Sequence, residues 1–221
     1  MDSNEEQDSD SFTRVIQLDN CGKTLTFRQN ILGPTNVVVW DASIVLALYL
    51  DRSCRFENWL CGKKVLELGA GLGCAGLTAA CYGAHVVLTD LDDALPYTEK
   101  NARQNRNEYE KCGGTVDCRV LKWGKEIDLD FQPEIILVSD CVYYEESLEP
   151  LLSTLDTLLS NGTGAHAILS QEQRDTPKQV IVNKKFLEEL NKRFKVTYIP
   201  ITDQHPVYAS SDIHLMKISK D

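Results

Sequence analysis

The stretch that most restricts the fold is residues 64–76, KVLELGAGLGCAG. Residues 65–68 read as a short buried strand. The chain then enters a glycine loop, Gly69-Ala70-Gly71-Leu72-Gly73, before a helix of small residues over 74–82. A strand feeding a glycine turn and a helix N-terminus forms a cradle for a nucleotide, because the first amides of a helix have no partner inside it. Glycine lets the backbone take positive φ and lets a ligand approach where a Cβ would otherwise stand.

The glycines fit two patterns at once. Gly71-x-Gly73-x-x-Gly76 matches the dinucleotide fingerprint, and Gly69-x-Gly71-x-Gly73 matches the nucleoside loop of methyltransferases. A second apolar run, HVVLT at 85–89, ends at Asp90. That acid lies about 20 residues beyond the loop, where a carboxylate accepts both hydroxyls of an adenosine ribose. Strand, glycine loop, helix, strand and acid make half of a Rossmann-like sheet.

The rest of the chain continues the alternation. Alternating residues at 13–18 and 24–28 around Asn20-Cys21-Gly22 predict a β-hairpin. Residues 31–34 read as a loop, and an apolar helix is expected over 42–50, directly after Trp40-Asp41. One helix is expected over 92–107, with acids early and Lys100, Arg103 and Arg106 late, as the helix dipole prefers. Strands follow at 116–121, 134–139 and 165–170, with helices at 146–160 and 180–194. Two closing strands, 195–201 and 213–218, are joined by a loop that holds no crossover helix, so one of them must run antiparallel. The fold class expected is α/β: a Rossmann-like, seven-stranded sheet, mostly parallel with one antiparallel strand, preceded by an N-terminal hairpin. The organisation expected is a disordered acidic tail over 1–11 and a single domain over 12–221.

Composition narrows the partners. The 23 basic and 33 acidic residues leave a net charge of −10, which argues against a broad nucleic-acid footprint and suits a cationic ligand or basic protein segment. No apolar window is long enough to span a bilayer, and the acidic N-terminus is neither a signal nor a transit peptide. The eight cysteines contain no CxxC pair, and the four histidines lack metal-ligand spacing. The expectation is reduced thiols, no metal, no membrane, and a location in the cytoplasm, with the nucleus also open. Asn161-Gly162-Thr163 matches a glycosylation sequon and reads as a turn.

In open α/β sheets, ligands bind beyond the C-terminal ends of the strands. The residues delivered there are the glycine loop, Asp90, Trp123 and Asp140. Asp140 with Tyr143 and Tyr144 places a carboxylate and two phenols beside a nucleoside pocket, a set suited to an amine or a cation. Asp140 also fits a helix cap, since a helix begins a few residues later. Either tyrosine serves packing equally well, and Trp40 alone fits a core position. Glu67 stands inside a buried strand, where it either faces the pocket to hold a ligand amino group or is satisfied by backbone donors.

The chain resembles the seven-β-strand, S-adenosylmethionine-dependent methyltransferases, in the protein-lysine group marked by Asp-x-x-Tyr after the fourth strand, here Asp140-Cys141-Val142-Tyr143. The phrases carrying the resemblance are VVWDASIVLALYL (38–50), VLELGAGLG (65–73), VLKWGKEI (120–127), DCVYYEESLEPLL (140–152), EQR (172–174) and SDIHL (211–215). Within that group they are most similar to the branch that methylates valosin-containing protein, an AAA ATPase. The resemblance implies S-adenosylmethionine as cofactor and a protein substrate; a monomer is expected. Glu67 is counted with the cofactor-binding residues on its place in the strand, and the resemblance implies that Trp40 lies against the cofactor pocket. Gly69, Ala70, Gly71 and Gly73 would form its loop, Asp90 would hold the ribose and Trp123 would pack near the adenine. Ser139 would contribute backbone contacts, while Asp140 and Tyr143 would orient the target lysine. Related loops often carry Ser or Thr at the second or fourth place, where this one has Ala70 and Leu72. A small-molecule methyltransferase, an inactive binding module and a nicotinamide-dependent oxidoreductase are the competing readings. The last lacks a visible Ser-Tyr-Lys set or a substrate domain.

Overall fold

A computed structural model describes residues 11–30, 37–161 and 164–220. The acidic tail over 1–10, the loop expected at 31–34 and the Gly162-Thr163 part of the sequon lie outside the described residues. The elements in order are β1 (Ser11–Leu18), β2 (Lys23–Asn30), α1 (Asp41–Ser53), β3 (Lys64–Leu68), α2 (Cys74–Cys81), β4 (His85–Asp90), α3 (Leu95–Gln104), α4 (Arg106–Glu110), β5 (Thr115–Val120), β6 (Ile135–Ser139), α5 (Leu148–Asn161), β7 (His166–Glu172), α6 (Pro177–Arg193), β8 (Lys195–Tyr198) and β9 (Ile213–Ser219).

Seven strands form one sheet in the order β5-β4-β3-β6-β7-β9-β8. β3 pairs in parallel with both β4 and β6, and β9 runs antiparallel to both β7 and β8. The Rossmann-like α/β sheet with one antiparallel strand near its edge is therefore as expected, and so is the separate β1–β2 hairpin. The hairpin strand begins at Ser11, one residue into the stretch expected as tail.

Strand alternation divides the core in two. Val65, Val86, Leu88, Ile135 and Leu137 face the layer of α1, α2 and α3. Leu66, Leu68, Val87, Ile136 and Val138 face α5 and α6. The central strand β6 is buried at every position, as a parallel strand covered on both faces must be. Among the described residues no helix is long and apolar enough to cross a membrane. All eight cysteines are unpaired thiols, and Cys54, Cys74, Cys81 and Cys141 are buried.

Several boundaries differ from expectation, each for a local reason. The single helix expected over 92–107 is two helices, broken at Asn105. There the side chain is committed to the hairpin: Asn105 Oδ1 accepts from Thr26 N at 2.8 Å and its Nδ2 donates to Thr26 O at 2.9 Å. One turn earlier, Asn101 Oδ1 accepts from Arg28 N at 2.8 Å. Two amide side chains on a helix thus satisfy the free edge of β2 as a third strand would. Helix α6 begins three residues early, at Pro177, behind the N-cap Thr176. Strand β7 runs two residues further than expected, to Glu172, and so carries Gln171 into the sheet edge.

The amide clamp on the hairpin has a measurable weight. Asn105→Ala leaves the Thr26 amide and carbonyl without these partners, at a cost of about 1–3 kcal/mol. Urea unfolding should show a lower midpoint with an unchanged slope.

Candidate active site

At the C-terminal edge of the sheet lies a cavity of about 460 Å³. Its wall brings together Trp40, Gly69, Ala70, Gly71, Asp90, Trp123, Ser139, Asp140 and Tyr143 from five separate segments. Nine of the eleven expected site residues therefore share one space of ligand size. Glu67 and Gly73 do not line it.

The glycine loop leaves β3 and passes under the Trp123 ring. Gly69 has φ of +63°, and a Cβ there would lie 2.8 Å from Cys141 Sγ and 2.9 Å from Trp123 Cζ2. Only glycine fits that conformation and that gap. The loop is tied down by its neighbours: Ala70 N donates to Thr89 O at 2.9 Å, and Thr98 Oγ1 donates to Gly71 O at 2.5 Å. Gly73 is the left-handed N-cap of α2, with φ of 81°, packed against Leu88 beneath the loop.

Asp90 ends β4 and accepts from Gly71 N and Leu91 N, both at 2.7 Å. Burial raises its pKa, and these two amides oppose the rise. Each carboxylate oxygen holds a second lone pair, so two further donors such as ribose hydroxyls remain acceptable.

Asp140 follows β6 in a turn of unusual form. Among the described residues it is the one non-glycine residue with positive φ, 53°. Gln171 moulds that turn: its Oε1 accepts from Val142 N at 3.0 Å, and its Nε2 donates to Asp140 Oδ1 at 3.0 Å and to Val142 O at 3.3 Å. Asp140 Oδ2 pairs with Arg174 Nη2, which also meets Glu172 Oε2 at 2.8 Å. The Arg174 guanidinium lies 5.3 Å from the centroid of the Trp40 ring. Burial raises the Asp140 pKa and the Arg174 charge opposes it. The carboxylate makes these bonds and caps no helix, since the 3₁₀ turn at Glu145–Ser147 and α5 begin further on. Tyr143 and Tyr144 meet edge to face at 4.7 Å, and Gln179 Nε2 on α6 donates to Tyr143 O at 2.9 Å.

Gln171 and Arg174 were not singled out by sequence reasoning, although EQR at 172–174 was among the family-like phrases. The available signal was the same one that marked Glu67: a polar side chain inside an otherwise apolar strand, followed at once by charge.

Glu67 takes the backbone alternative. It shares the α2 face of β3 with Val65, it is fully buried, and its Oε2 accepts from Gly76 N at 2.8 Å. Its Oε1 has no partner among the described atoms. Burial pushes its pKa from 4.5 to about 8. The folded state then binds a proton that the unfolded chain releases above about pH 4.5, so stability falls as pH rises from about 4.5 toward about 8. Glu67→Gln keeps the acceptor for Gly76, and thermal unfolding across that range should show a shallower loss of stability with pH than in the wild type.

The family model described as lysine methyltransferase matches residues 19–193. Protein N-lysine methyltransferase METTL21A of Danio rerio is 35% identical over 189 residues, which cover 83% of this chain and 77% of the relative. EEF1A lysine methyltransferase 3 of Mus musculus is 35% identical over 153 residues, covering 66% of this chain and 62% of the relative. Among solved structures, the T. thermophilus 16S rRNA N2 G1207 methyltransferase RsmC, in complex with AdoMet and guanosine, superposes with a TM-score of 0.64 at 16% identity. It covers 96% of this chain and 51% of that one. The ribosomal protein L11 methylase of Lactobacillus delbrueckii subsp. bulgaricus gives 0.57 at 18% identity, over 94% of this chain and 99% of that one. At those identities the structures speak for the fold alone. The family match spans most of the chain and includes the glycine loop, Asp90 and Asp140, and it identifies this chain as a member of the lysine methyltransferase family.

Proposed function

We propose that this enzyme transfers a methyl group from S-adenosylmethionine to a lysine of a protein substrate, and that the substrate is valosin-containing protein. The observation that carries the reading is convergence. The glycine loop, Asp90, Trp123 and the Asp140–Tyr143 pair come from separate strand ends and line one cavity.

The residues fit the cofactor. Gly69, Ala70 and Gly71 line the cavity and offer their backbone to its methionine part. Asp90 retains lone pairs for the ribose, and the half-buried Trp123 offers an apolar surface for the adenine. Trp40 walls the other side, and Ser139 offers its backbone. When bound, S-adenosylmethionine supplies a methyl already activated by a positively charged sulfur. What remains for the chain is to position the target amine and exclude water. A lysine with a pKa near 10.4 costs roughly 4–5 kcal/mol to deprotonate at pH 7. A carboxylate alone raises that cost, so Asp140 aligns the amine and is not its base, and the Tyr143–Tyr144 rings shape the approach.

The substrate assignment rests on the phrases shared with the branch that methylates valosin-containing protein, VVWDASIVLALYL and DCVYYEESLEPLL above all. Action as a monomer in the cytoplasm, and in the nucleus as well, belongs to the same proposal.

The test is methyl transfer from labelled S-adenosylmethionine to purified valosin-containing protein, with elongation factor 1A as the comparison substrate. Label on a lysine of the former supports the assignment; label on the latter alone overturns it. Asp140→Asn is the matched variant, since asparagine tolerates positive φ. Its turnover should fall roughly 100-fold through lost alignment of the amine. Its affinity for S-adenosylhomocysteine, measured by calorimetry, should stay near that of the wild type. Loss of that affinity would remove Asp140 from the substrate side.

A further inference from the structure

Arg174 lies inside the cavity wall, yet alignment of the amine by Asp140 gives it no part. Its Nη2 bridges the Asp140 and Glu172 carboxylates, and its guanidinium faces the Trp40 ring. The Asp140 side chain is 3% exposed and that of Arg174 is 25% exposed. The buried acid is thus already paired with a guanidinium, which the more exposed Glu172 shares. Two acids and an aromatic face are also what an incoming lysine ammonium would seek.

We infer that Arg174 is a positioning residue that neutralises Asp140 in advance, so that the target lysine is aligned as a neutral amine and is not trapped as an ammonium. The inference rests on the proposed use of the cavity as the lysine site. An unmatched carboxylate within a few ångströms favours the charged form of an amine, and a matched one does not. The surroundings make the matching necessary. Asp90 on β4, Glu146 beyond β6 and Glu172 and Asp175 around β7 all add negative charge, as does Asp41 on α1, which pairs with Arg14 at 3.5 Å. Lys122 beyond β5 is the other cation among the described wall residues, and Lys178 on α6 lies 5.8 Å from the Tyr144 ring centroid. The titratable Cys141, Tyr143 and Tyr144 face the same space. The lysine proton leaves to solvent water before the amine attacks, and no group of the chain takes it up.

The prediction separates alignment from charge. The pH dependence of kcat reports groups in the enzyme–substrate complex. It is measured with labelled S-adenosylmethionine and whichever of valosin-containing protein and elongation factor 1A the wild type labels. In Arg174→Gln the pH of half-maximal kcat should rise by about one unit, a loss of about tenfold at pH 7. KM for the protein should not rise, because an ammonium gains a carboxylate to bind. Arg174→Lys restores the cation and should return the profile toward that of the wild type. Arg174→Met is the second uncharged variant, for use should Arg174→Gln not fold. S-adenosylhomocysteine affinity within about twofold of wild type confirms an intact cofactor side. A loss of kcat equal at every pH, no loss at all, or a Lys variant shifted as far as the Gln variant overturns the inference and leaves the proposed function standing. A wild-type enzyme that binds S-adenosylhomocysteine yet labels neither protein overturns the proposed function and this inference together.

Discussion

The structure depends on how closely α2 lies on the sheet. A Cβ at Gly76 would stand 2.3 Å from Leu88 Cδ2 and 2.6 Å from Glu67 Oε2. Interiors pack densely, and one extra methyl in such a gap forces the helix away. With the helix down, the loop before it is held flat across the ends of β3 and β4, and Asp90 reaches the Gly71 amide. The same contact buries Glu67, whose Oε2 accepts from the Gly76 amide. A helix seated so close that only the strands' own side chains fit beneath Gly76 thus sets the cavity floor and also creates the buried acid.

The opposite wall is built on a different principle. Beyond β6 the chain turns through a left-handed residue, at a cost of about 1–3 kcal/mol for a non-glycine position. The Gln171 amide offsets that cost by bonding on both sides of the turn. Asp140 is thereby delivered into the cavity with its charge met by Arg174. Polar groups buried as a connected set hold one geometry, because any departure leaves a donor or acceptor unpaired. The wall proposed to align the substrate is accordingly held by connected bonds from Gln171 and Arg174.

The hairpin is fastened by the same means at the other side. Asn101 and Asn105 bond the edge of β2, and Asp51 accepts from Asn20 Nδ2 at 2.7 Å and from Tyr82 Oη at 2.6 Å. Gln29 Oε1 takes the Val39 amide at 2.6 Å, one residue before Trp40. The hairpin therefore reaches the cavity through Trp40, although it contributes no strand to the main sheet.

The chain's local patterns were enough for the sheet, its one reversed strand and the points at which Asp90, Trp123 and Asp140 emerge. Strand periodicity, glycine turns and the rule that ligands gather at strand ends all act over short stretches of chain. Seven of the nine expected residues that meet in the cavity follow from those rules, while Trp40 and Ser139 were expected there from the family resemblance. Tertiary packing alone decided the rest. Alternation along β3 put Glu67 on the α2 side, and nothing in its neighbours distinguished a pocket-facing acid from a buried one. The break at Asn105 came from a bond to Thr26, 79 residues earlier. Arg174 met Asp140 across 34 residues, after β7 extended past its expected end. Such side-chain pairings depend on distances that exist only once the layers have packed, so no periodicity in the sequence records them.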